Sequence, residues 1–325
     1  MKRQLALILT GVILFTSCQK SITIDERIAE ETTASQRHCA AYDVLEAQLA
    51  ADPGLRQRMQ EIENFTQRIT SNPGAYRLLP DGTIEIPVVF NVLYRTAAQN
   101  ISLAQIQSQV VVLNEDFKAT NADYSNTPSI FQGARSGNTG ITFVLDVVNR
   151  KLTSKKSWST NDAMKKTAQG GIDPTSPATK LNFWVCNLSG GILGYAQFPG
   201  GAAATDGIVC DDNATGSTGT AAAPFNKGRT ATHEVGHYLN LRHIWGDATC
   251  GNDLVGDTPL HTSYNFGCPT FPANSTCGGV SHAMMTMNYM DYTDDACMYM
   301  FTTGQKTRML AIFASGGPRN SMAQP

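Results

Sequence analysis

The 325-residue chain lacks a long run of Lys or Arg, and its formal charge at pH 7 is only −2. That leaves no electrostatic reason for a nucleic-acid partner, and no such partner is expected. It has no internal repeat, which sets solenoids and propellers aside. Its N-terminal apolar stretch, Leu5 to Phe15, is too short to span a bilayer permanently. Histidine is scarce, at 6 residues, yet half of these crowd into one short string, HEVGHYLNLRH, from His233 to His243.

What is present suffices for a sizeable core: 42% of the residues are hydrophobic, enough for one large domain and a smaller appendage. Lys2 and Arg3, the apolar stretch and small residues before Cys18 read as an export signal over residues 1–18. Phe15-Thr16-Ser17-Cys18 resembles a bacterial lipobox, in which Cys18 would carry a lipid anchor. The expectation is a secreted protein, extracellular or a cell-surface lipoprotein, in which cysteines are free to pair. Of 8 cysteines, Cys18 and Cys39 fall in the leading segments, and an even set remains whose connectivity the sequence leaves open.

Residues 19–68 are polar, with Leu55, Met59 and Ile62 at the spacing of a short amphipathic helix, and read as an accessory segment. Turn signals at Ser71-Asn72-Pro73-Gly74 and Pro80-Asp81-Gly82 precede the main domain, taken as residues 69–325. Strands are predicted at Ile84 to Leu93, Ile141 to Val148, Leu181 to Asn187, Leu193 to Phe198 and Gly207 to Cys210. Ser102 with Gln105 and Thr302 with Gln305 form capping-box patterns that start helices. Residues 244–300 are Gly-, Pro-, Asp- and Cys-rich, so they need crosslinks or metal to hold one shape. The order describes an α+β domain with a mixed twisted sheet and an irregular C-terminal part.

In a helix, residues four apart lie about 40° apart around the axis, so His233 and His237 share a face and can reach one ion. Glu234 beside them is suited to take a proton from water. A catalytic zinc site needs a third protein ligand, and His243 is the candidate. A continued helix would turn His243 roughly 240° from His237, so the chain must break and reverse between them. Asn240 supplies the break, because asparagine is the most tolerant residue after glycine of a left-handed helix exit. His38, His261 and His282 read as surface or loop residues.

The string resembles the extended HExxHxxGxxH motif of the metzincin metallopeptidases, with asparagine in the glycine position. With Tyr195-Ala196-Gln197-Phe198-Pro199, Asp257-Thr258-Pro259 and Tyr289-Met290-Asp291-Tyr292, it is similar to the pappalysin family and its ulilysin-like secreted members. The resemblance, over roughly residues 84–313, implies a zincin-like catalytic domain that hydrolyses peptide bonds in proteins or peptides; a monomer is expected. It implies zinc on His233, His237 and His243, Glu234 as general base and acid, and Tyr292 as the hydroxyl that stabilises the oxyanion. Met290 is the methionine of a turn forming an apolar floor under the ligands. An extended substrate would add to the edge strand at Leu193, Gly194, Tyr195 and Ala196. Asp295, with Asp294 in reserve, would lie in the pocket for the residue just after the scissile bond and select Arg or Lys.

The resemblance also implies a calcium loop with Asp253, the Val255 carbonyl, Asp257 and Thr258 as oxygen donors. It implies Cys250 paired with Cys277 and Cys268 with Cys297, leaving Cys186 with Cys210. Cys39 would occupy the zinc of a latent zymogen and make residues 19–68 a prosegment, released by a cut near Arg68 or Arg77. The matrix metallopeptidases' longer switch motif is absent. The competing reading is a surface binding protein with a vestigial zinc site; Glu234 argues against it.

Overall fold

The computed structural model describes residues 36–71 and 83–323. The export signal, Cys18, and the turns and Arg77 within residues 72–82 lie outside them. Among the described residues no helix is long and apolar enough to cross a membrane.

The longest apolar run of the main domain becomes the sheet centre. Strand β1 (Ile84–Tyr94) is buried along most of its length, as a strand covered on both faces must be. It pairs in parallel with β2 (Ile141–Leu152) on one side and β3 (Leu181–Val185) on the other. β3 pairs in parallel with β5 (Ile208–Cys210), and the short β4 (Gly194–Ala196) closes the order β2-β1-β3-β5-β4 as an antiparallel edge. All five predicted strands are present, and the mixed sheet is the expected one.

Helix α3 (Leu103–Lys118) starts at Ser102, whose hydroxyl accepts the Gln105 N–H. It buries Ile106, Leu113 and Phe117, with the Phe117 and Phe143 rings 5.0 Å apart. The Gln105 side chain does not complete the capping box; it donates to the Asp212 and Thr215 carbonyls. At α5 (Thr303–Ala311) both bonds of the predicted box form.

Four findings correct the sequence reading. Cys186 and Cys210 are free, buried thiols: β3 and β5 place Val185 opposite Cys210, so Cys186, the next residue, projects from the other sheet face. The segment before residue 70 is more than an accessory, since Cys39, Ala41, Val44, Leu45 and Leu55 join the main core through α1 (Ala41–Ala51) and α2 (Leu55–Thr70). His261 lies on a loop but is fully buried, its Nε2 accepting the Met285 N–H. The irregular region contains one hairpin, β6 (Asn274–Cys277) with β7 (Val280–Ala283). The Cys250–Cys277 and Cys268–Cys297 disulfides are present and staple that region.

Candidate active site

Helix α4 (Arg229–Tyr238) is buried throughout and carries His233 and His237 on one face, their Nε2 atoms 3.1 Å apart. The helix then ends as the asparagine requires. Asn240 has φ 75°, its N–H donates to the His237 carbonyl, and the Leu241 N–H reaches back to the Gly236 carbonyl. That pair of bonds is a Schellman exit, which satisfies the last carbonyls while reversing the chain. The reversal brings His243 Nε2 to 3.1 Å from His237 Nε2.

Each outer imidazole nitrogen meets an oxygen: His233 Nδ1 the Tyr289 carbonyl at 2.6 Å, His237 Nδ1 the Leu241 carbonyl at 2.9 Å, and His243 Nδ1 the Asp247 carboxylate. Those acceptors assign the protons to Nδ1, so three Nε2 lone pairs converge on one point with no hydrogen between them. Burial, with the neighbouring imidazoles, holds His233 and His237 well below the ordinary histidine pKa, so both are neutral. Converging lone pairs repel unless a cation stands among them, and the donor set is that of zinc. The fit is therefore good. Cys39 Sγ completes the group: among the described residues, it and the three histidines form the only cluster of His, Cys, Asp or Glu whose ligand atoms lie within 4.8 Å of one another.

Glu234 is buried beside this point, and burial pushes its carboxyl up to about 8, with the Cys39 hydrogen bond and Arg37 pulling it down. Two glycines make room. A Cβ on Gly194 would stand 2.9 Å from Glu234 Oε1, so only glycine lets the edge strand come this close. A Cβ on Gly236 would stand 2.4 Å from Met290 Sδ, which explains how Met290 packs directly under the helix. The turn bearing Met290 is held by Asn288, which accepts the Met290 N–H and exchanges two side-chain bonds with Gln305. The Tyr292 ring packs on His233 and His243, and its hydroxyl donates to the Cys39 carbonyl at 3.0 Å.

Residues 37–40 lie along the edge strand: the Leu193 N–H donates to the His38 carbonyl and the Ala40 N–H to the Gly194 carbonyl. Leu193 and Gly194 thus present the pairing edge. The Tyr195 side chain points inward to Asp162, and Ala196 pairs with β5. Arg37 is buried in a pocket closed by Asp295, with Nη2 2.6 Å from Asp295 Oδ1, Nη1 3.1 Å from Thr230 Oγ1, Nε 3.1 Å from the Thr293 carbonyl and the Phe225 ring over the guanidinium. Asp295 Oδ2 is fixed by the Lys227 and Arg229 N–H groups. Asp294 is partly exposed, and the hydrogen bonds of the Arg37 guanidinium go to Asp295, Thr230 and Thr293.

In the proposed calcium loop, Thr258 Oγ1 lies within 3.0 Å of both Asp253 oxygens and of the Val255 carbonyl, while Asp257 accepts from Thr302 Oγ1 and the Gly304 N–H at the start of α5. Four converging oxygens fall short of the roughly six to eight that calcium takes.

Sequence reasoning missed Arg37 as the occupant of the Asp295 pocket, although it stands two residues before Cys39. It also missed Thr230, Phe225 and Asp247, whose neighbours in space are remote in sequence or have no motif.

Fold and site together define a zincin-like metalloendopeptidase. Residues 185–314 match the peptidase M43 family, described as pregnancy-associated plasma protein-A. An extracellular metalloprotease of Pyricularia oryzae is 35% identical over 67% of this chain and 70% of its own length. A Tannerella forsythia promirolysin mutant superposes with TM-score 0.79 at 43% identity, covering 88% of this chain and 97% of that one. Mature mirolysin from the same organism, in complex with a cleaved peptide, gives TM-score 0.72 at 47% identity, over 75% of this chain and 96% of that one. The chain belongs to the pappalysin family of metallopeptidases.

Proposed function

We propose that the protein is an exported zinc endopeptidase, made as a latent precursor, that cuts peptide bonds followed by Arg, and less readily by Lys. The observation that carries this reading is Arg37: a guanidinium already fills the Asp295 pocket while Cys39, two residues on, faces Glu234 and the three histidines. The prosegment thus holds the cleft with the side chain the pocket selects. Three acceptors around one planar fork, with an aromatic face above it, favour guanidinium over ammonium. Export is supported by the N-terminal signal pattern and by relatives named extracellular metalloproteases. Peptide substrates are supported by the cleaved peptide held by mature mirolysin.

His233, His237 and His243 would hold zinc, and Cys39 its open position in the precursor. Zinc, when bound, supplies Lewis acidity that polarises the scissile carbonyl and acidifies water. Glu234, at the edge-strand side, takes the proton from the attacking water and returns it to the leaving amine. Once residues 37–40 leave, the Tyr292 hydroxyl loses the Cys39 carbonyl as acceptor and is free to donate to the oxyanion of a substrate. Met290 keeps the floor apolar, and Leu193 with Gly194 pairs the substrate backbone.

Residues 1–18 remain our export signal, with a lipid anchor at Cys18 as part of the reading. Arg68 lies inside α2, where cutting is hindered, so we place release in the linker of residues 72–82, which holds Arg77. Calcium at Asp253, Val255 and Thr258 would need water or a turned Asp257 to fill its shell.

The test incubates processed protein, and its Glu234→Ala variant, with a mixed peptide library with and without a zinc chelator. Cleavage that needs both Glu234 and metal, before Arg, is expected. An inert processed protein would sink the peptidase reading, and cuts without Arg or Lys after the scissile bond would remove the Asp295 assignment.

A further inference from the structure

The prosegment also grips the domain outside the Asp295 pocket and the histidine cluster, at the residue that departs from the motif. Arg308 of α5 donates from Nε to the Asn240 carbonyl at 2.7 Å, and from both terminal nitrogens to Glu63 of α2. The Asn240 amide donates to Thr66 Oγ1 at 3.4 Å, a bond that a glycine at this position has no side chain to make. Arg308 and Thr66 are both buried. On the same helix, Ile62 rests on Gly200, where a Cβ would stand 3.0 Å from Ile62 Cδ1, and Arg58 donates to the Gly200 carbonyl. The hydrogen bonds of the Arg58, Glu63, Thr66 and Arg308 side chains named here go to none of the three histidines, Glu234 or Asp295.

Building on the latent-precursor reading, we infer that α2 is a second and independent anchor, so that after the linker is cut residues 36–71 stay bound as an inhibitory partner in trans. Two facts carry this. The contacts of α2 named above join residues outside 72–82, so severing that linker breaks none of them. Among the described residues the terminal nitrogens of Arg308 have Glu63 alone as acceptor, so departure of α2 breaks a two-pronged, charge-assisted ion pair in one step. Activation then needs a further event, displacement or cutting of α2, before the cleft opens.

The test uses the full-length precursor with a site for an unrelated protease inserted in residues 72–82. After quantitative linker cleavage, the prosegment retained on size-exclusion chromatography is followed over time by mass spectrometry. Glu63→Gln and Thr66→Val remove the anchor groups; Glu61→Gln removes the same charge from the exposed face of the same helix. Retention in the unaltered chain and in Glu61→Gln is expected, with release at least tenfold faster in Glu63→Gln and faster also in Thr66→Val. Immediate loss of the prosegment from the unaltered chain, or equal retention in all variants, overturns the anchor. Because retention is read without activity, it stands apart from the peptidase reading, which fails only if protein freed of its prosegment cuts nothing.

Discussion

Substituting Asp295 by Asn should separate the specificity of the mature enzyme from its general chemistry. Asp295 is fully buried, one oxygen fixed by two backbone N–H groups and the other 2.6 Å from the Arg37 guanidinium in the precursor. Asparagine keeps the shape and loses the charge. The loss lies between about 1.5 kcal/mol for a charged hydrogen bond and about 5 kcal/mol for a buried charge left without its partner. At about 1.36 kcal/mol per tenfold, kcat/KM on a peptide with Arg after the scissile bond should fall roughly 10- to 5,000-fold. The same peptide with Ala there should change little. A precursor cut in residues 72–82 by an unrelated protease should respond with the opposite sign: its Arg37 is held by the same carboxylate, so Asp295→Asn should shorten the lag before activity appears. Parallel kcat/KM measurements on the two peptides and a lag assay decide the matter. Equal losses on both peptides, or an undiminished rate on the Arg peptide, would refute the reasoning.

Thr230→Val removes one acceptor from the guanidinium and leaves nothing else changed in volume, so the preference for Arg over Lys should drop about tenfold, read as a ratio of kcat/KM values. Asp247→Asn should weaken zinc binding about 10- to 100-fold, measured by competition with a chromogenic chelator, because Asp247 orients His243 through Nδ1. Thiol labelling of the denatured, unreduced chain should modify Cys186 and Cys210 and spare Cys250, Cys268, Cys277 and Cys297; protection of the first two would reinstate the disulfide corrected above. Burial raises the Glu63 pKa, but hydrogen bonds and charge from Arg308 lower it further, with a net value below the ordinary 4.5. A depressed carboxyl contributes stability that is present above its unfolded pKa and lost as pH falls through the folded one. Prosegment retention should therefore be level from pH 7 to about 5 and weaken only below about 4.5, and a loss centred near pH 6 would exclude Glu63 as the titrating group.

What the sequence made legible is what depends on neighbours along the chain. Strand β1 announces itself by an apolar run, α5 by its capping box, and the convergence of the three histidines by helical arithmetic that required φ > 0 at Asn240, where φ is 75°. What it hid depends on register and on distant partners. Cys186 and Cys210 look like a leftover pair until the β3–β5 register puts them on opposite faces, a parity that one residue of slip would reverse. The β6–β7 hairpin is short and weakly patterned, and its Cys277 is tied to Cys250, so tertiary staples specify it more than local propensity does. Arg37 meets Asp295 across 258 residues, and no spacing rule reaches that far. Asn240 lies on both sides of this line. Its backbone role is forced by the neighbouring histidines and could be deduced; its side chain and carbonyl answer to Thr66 and, through Arg308, to Glu63, so the reason for asparagine in place of glycine becomes visible only once α2 is seen lying across the helix exit.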